Sequence, residues 1–80
     1  MAAGKKPYDY VKEVAADLRN DRLEDVATRL LKSHEGIFNG TELFMTWRHA
    51  VSQILKTDGI SEATKTSALR AVDYFNEQLD

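Results

Sequence analysis

Residues 39–55, NGTELFMTWRHAVSQIL, decide the fold. Asn39 carries the side-chain oxygen of a helix N-cap, and Glu42 three positions later has the spacing of a capping box. Phe38 before the cap and Leu43 inside the helix have the spacing of a hydrophobic staple, so Ile37-Phe38 is read as a clasp, with an exposed docking loop as the alternative. At roughly 100° per residue, Leu43, Phe44, Trp47, Ala50, Val51, Ile54 and Leu55 cover an arc of about 140°. So broad a stripe predicts a helix over 40–56 that touches at least two neighbours and stands at the centre of the fold. The other side carries Met45, Thr46, His49, Ser52, Gln53 and Lys56, where Met45 is the one large apolar residue.

Working outward, Gly36 is a natural terminator for the preceding helix, and Asp58-Gly59 ends the central one, with Ile60 placed to fold back on Leu55. Ser61 caps a last helix over 62–79, whose stripe is Thr64, Ala68, Ala71, Val72, Phe75 and Leu79. Upstream, Val11, Val14, Ala15 and Leu18 form one stripe and Leu23, Val26, Ala27, Leu30 and Leu31 another, with centres about 140° apart on a single straight helix. A straight helix would expose one set, so the chain must break. Asn20 suits a left-handed helix end, and Asp21 with Glu24 reads as a capping box for the next helix. Pro7 suits a first helical position, and Asp9 and Glu13 suit the positive end of the helix dipole. The expectation is an all-α, compact four-helix domain, a bundle or an orthogonal array, with helices near 7–19, 22–35, 40–56 and 62–79. Residues 1–6 read as a flexible tail before a single domain over 7–80.

The 80 residues carry a net charge of −2 and no cysteine, which leaves no disulfide framework and no thiolate chemistry. Lys and Arg balance Asp and Glu over 1–40, so the second half carries the whole deficit. No apolar run is long enough to span a bilayer, and no apolar segment follows the Lys5-Lys6 pair, so the expected location is cytoplasmic. The Asn39-Gly40-Thr41 glycosylation sequon then has no use.

No arrangement of residues points to catalysis. Ser33, Ser52, Ser61 and Ser67 occupy ordinary helix or cap positions, and the carboxylates fall on polar faces where water keeps them ionised. His34, at the end of the second stripe, reads as an edge-of-core imidazole, and His49 lies on the outer side of its helix; two separate histidines make no metal-ligand pattern. Gly36, Gly40 and Gly59 are isolated and form no phosphate-cradling loop. No cofactor or metal is expected.

One stretch carries a motif. In residues 55–64, LKTDGISEAT, a glycine turn, an aliphatic residue and a serine cap precede a helix bearing Thr64, Thr66, Ser67 and Arg70. This segment resembles the turn of repressor-type helix-turn-helix proteins. That resemblance implies DNA contact through Lys56, Lys65, Thr66 and Arg70, over about a quarter of the chain. It departs from the family at Leu55, where a small residue is usual, and at Lys65, where a buried aliphatic is usual. A glycine stop followed by a serine cap accounts for the same residues without DNA.

The expected function is therefore a small, non-catalytic, helical protein–protein interaction module acting as regulator, inhibitor or adaptor. Small acidic chains of this type occur among bacterial and phage accessory proteins. Met45, His49, Ser52 and Lys56 are the expected contacts with a protein partner, a homodimer among the options, because Met and aromatic side chains amid polar neighbours typify recognition patches. Helix-turn-helix-like DNA binding through 56–70 is the alternative. No membrane association is expected, since every helix carries mixed charge.

Overall fold

The computed structural model describes residues 5–79 as four helices, α1 (Pro7–Asn20), α2 (Glu24–Lys32), α3 (Gly40–Ile54) and α4 (Glu62–Leu79), and the all-α four-helix expectation is met. Residues 1–4, most of the tail read as flexible, and Asp80 lie outside the described residues. Lys5 and Lys6 are held: Lys5 pairs with Glu13 and lies 4.9 Å from the Tyr10 ring centroid, and the Lys6 backbone N–H donates to Asp9 Oδ2 at 3.0 Å.

The sense of the helices alternates. Tyr10 near the start of α1 stacks on Tyr74 near the end of α4, while Asp21, just past α1, bonds Ser61 and Thr64 at the start of α4. Tyr8 likewise meets His34, just past α2, and Trp47 at the middle of α3, while Phe44 near the start of α3 meets Phe75 near the end of α4. One end of the domain is therefore aromatic, built from Tyr8, Tyr10, His34, Phe44, Trp47, Tyr74 and Phe75, and the other end is joined by polar bonds. Successive helices are neighbours, and α4 closes the ring onto α1; α2 and α4 do not touch.

The core assigns a different centre from the one expected. The broadest packing is of α4 against both α1 and α3, with α1 against α2 close behind. α1 buries Val11, Val14, Ala15 and Leu18, and α4 buries Phe75 with the small side chains of Thr64, Ser67, Ala68 and Ala71. α3 fully buries only Trp47, Val51 and Ile54; Leu43, Phe44, Ala50 and Leu55 remain half-buried at its rim. The reason is α2, which is only nine residues long and covers little of α3.

The break between the first two helices falls where expected but is built differently. Leu23 N–H donates to Leu18 O and Arg22 N–H to Arg19 O, the bond pair of a Schellman motif. Arg22, not Asn20, takes the left-handed conformation, with φ +65°. Asp21 does not cap α2, whose N-cap is Leu23 with no side-chain bond, because its carboxylate is drawn to α4. α2 stops at Lys32 rather than 35: Ser33 Oγ donates to Leu30 O at 2.7 Å, and tight turns follow to Gly36 at φ +81°. α3 ends at Ile54, short of 56, where Lys56 N–H and Thr57 N–H bond carbonyls three residues back.

Candidate interaction surface

The register of α3 is set by Asn39, whose Oδ1 accepts the N–H groups of Thr41 at 2.8 Å and Glu42 at 3.2 Å. With Trp47, Val51 and Ile54 turned inward, the helical repeat leaves Met45, His49 and Ser52 on the outside, within about 60° of one another. Met45 is 50% exposed and His49 is exposed, whereas Ser52 is half-buried and its hydroxyl donates to Arg48 O at 2.7 Å. Lys56 does not share this helical face: it is exposed in the turn beyond the last residue of α3. Three of the four expected contacts thus share one arc of α3, and the fourth follows the helix end.

The staple expected of Phe38 and Leu43 is not formed. Leu43 packs on the core, but Phe38 is 98% exposed. Residues 37–39 form an irregular link between turn and helix, with extended backbone at Asn39. Ile37 is half-buried, and the clasp reading fails for Phe38, which faces water. Leu69 on α4, 53% exposed, is a third large apolar side chain at the surface, and the stripe reading did not single it out.

The helix-turn-helix segment has a different setting. Lys65, Thr66 and Arg70 are all exposed on α4, and Lys65 pairs with Glu62 at 3.3 Å. Thr66 and Arg70 share a groove with Glu13, Asp17 and Glu62. The start of α4 is tied down, since Asp21 Oδ2 accepts the Ser61 N–H at 2.9 Å and the hydroxyl of buried Thr64 at 2.5 Å, while Ser61 Oγ accepts the Thr64 N–H at 3.3 Å. The Thr64 hydroxyl, and after it the Ser61 N–H, hold the Asp21 carboxyl below its ordinary value of 3.8, against a smaller opposing effect of desolvation. An anion of the chain itself thus occupies the positive end of α4, where a recognition helix would face phosphate.

His34 lies in the turn beyond α2, edge-on to Tyr8 at 5.4 Å between ring centroids and 5.9 Å from Trp47. Its Nδ1 and the Trp47 Nε1 are buried without hydrogen-bond partners. Among the described residues, no three His, Asp or Glu side chains converge on a point that could hold a metal, and no helix is long and apolar enough to cross a membrane. No protein-family model matches the chain, and neither a curated protein nor a solved structure matches it.

Proposed function

We propose that this chain is a small, non-catalytic protein–protein interaction module, acting as regulator, inhibitor or adaptor through the outer face of α3. The observation that carries the reading is Met45, half exposed beside exposed His49 on a helix whose other side is committed to the core. An unbranched thioether next to polar groups adapts to a partner's shape, and its burial supplies affinity. The test is affinity capture from the source cell with the wild-type chain and with Met45→Glu and His49→Glu. The expected result is a stoichiometric partner retained by wild type and lost from both variants while their thermal melting is unchanged. Equal capture by all three proteins would move the contact elsewhere, and no specific partner for any of them would count against the reading.

Duplex DNA binding through Lys56, Lys65, Thr66 and Arg70 is the competing reading. The acidic lining beside Thr66 and Arg70, and the aspartate at the start of α4, weigh against it, because each carboxylate near phosphate reduces the electrostatic attraction. A low-salt gel-shift assay checks it: retained duplex that is released by Arg70→Ala would favour this second reading.

A further inference from the structure

The two successive helices that pack least closely leave a groove. α2 and α3 diverge over a space of about 310 Å³ floored by Val26, Leu30, Ala50 and Ile54. An apolar cavity of roughly 150 Å³ is enough to take up a benzene-sized ring, so a phenyl group fits here with room for its approach. Arg29 is the one charged side chain lining it; its Nε reaches only the Asp25 carbonyl at 3.4 Å, and no carboxylate pairs with it among the described residues.

The same helix pair carries the matching projection. Phe38, 98% exposed, stands on the link between α2 and α3. The charges nearest it in the chain are Glu35 and Glu42, both exposed and neither in an ion pair among the described residues, and no Lys or Arg occurs between Lys32 and Arg48. An acid-flanked phenyl group and a base-flanked apolar groove are complementary in both shape and charge.

Their placement suits a two-fold pair. Phe38 precedes the first residue of α3, while the groove lies ten or more residues along it, about 15–20 Å away at 1.5 Å per residue. Two α2–α3 hairpins laid antiparallel would set each Phe38 over the other copy's groove, a self-complementary contact that closes on itself. We infer that a second copy of this chain occupies the α2–α3 groove, with Phe38 as the inserted side chain and Glu35 and Glu42 facing the partner's Arg29. This extends the interaction proposal to a second surface, and it rests on that proposal only in taking exposed apolar side chains as contacts.

A hairpin face about 20 Å square gives on the order of 800 Å² of total buried area for two copies, below the ~1,200 Å² of stable complexes, so the dimer is weak. Sedimentation equilibrium from about 10 µM to 1 mM should therefore show wild type passing from monomer toward dimer. Phe38→Ser, which alters a side chain the fold does not use, should remain monomeric throughout. Ala50→Trp, filling the groove, should do the same, and so should Arg29→Glu if the tryptophan variant does not fold. Monomeric wild type at 1 mM, or a Phe38→Ser protein that dimerises as wild type does, overturns the inference. Either result leaves the Met45 and His49 capture experiment as the separate judge of the interaction proposal.

Discussion

Trp47 is surrounded by rings, with Tyr8, Phe75, His34 and Phe44 at 5.7–6.4 Å between centroids, yet its indole N–H has no acceptor. Its worth is therefore packing alone. Trp47→Ala should cost about 3–5 kcal/mol in urea titration, a large share of the roughly 4–12 kcal/mol available to a domain of this size. Trp47→Phe loses no hydrogen bond and should cost much less; similar losses in both variants would mean that the N–H is satisfied in solution. Asp21 works oppositely, through bonds rather than area. Its carboxyl is held below 3.8 by the Thr64 hydroxyl first and the Ser61 N–H second, so the native state binds this proton less readily than the unfolded chain. The resulting stability is complete above the unfolded value and is lost as pH falls through the lower folded value. Asp21→Asn should thus be less stable than wild type near pH 7, and the gap should close as pH falls below about 4, as thermal melts across pH would reveal. A gap unchanged with pH would assign the loss to geometry rather than charge. Trp47 facing inward was readable from the α3 stripe. The partner of Asp21 was not: it lies 40 residues away in the chain, and local capping rules offered a nearer one.

At the scale of the element, the informative feature is how α1 stops. Arg22 holds φ +65° at the position where Schellman motifs usually carry glycine. A non-glycine residue there costs roughly 1–2 kcal/mol, while glycine adds about 0.4–1 kcal/mol of unfolded-state entropy to lose. The difference favours glycine, so Arg22→Gly should stabilise the domain by about 0.5–1 kcal/mol, raising the melting temperature by several degrees. A lower melting temperature would show that the Arg22 side chain makes a contribution its exposure conceals. The same turn marks what periodicity could and could not give. The mismatch between the stripes of Val11 to Leu18 and Leu23 to Leu31 required a break, and α1 and α4 fall within a residue of expectation. The ends of α2 did not follow, because they depend on Asp21 leaving for α4 and on Ser33 bonding back to Leu30. Phe38 failed for the related reason that a staple is a pattern of spacing, while its formation depends on whether the link turns Phe38 toward the core, and it does not.

For the whole molecule, the uneven packing of the ring sets the order in which it comes apart. α1 and α4 join along their full length, from the Tyr10–Tyr74 stack at 4.3 Å to the Asp21 bonds at the other end. α2 has no such arrangement: it fully buries only Ala27 and Leu30, leans mainly on α1, meets α3 along the open groove and does not reach α4. Its nine residues are too few for a helix to persist by its own propensity in water. Local opening free energies follow buried contact, so α2 should open without the rest. Native-state hydrogen exchange in low denaturant should show the amides of Ala27 to Leu31 exchanging at a lower free energy than those of Val14 to Leu18 and Ala68 to Phe75. The buried amides of α1 and α4 should exchange only on global unfolding. Equal protection in all four helices would mean that the domain is a single cooperative unit, with the groove as firmly walled as the core. If α2 does open separately, the groove it forms with α3 is its adjustable wall, and any side chain seated there should raise the protection of α2 more than that of α1 or α4.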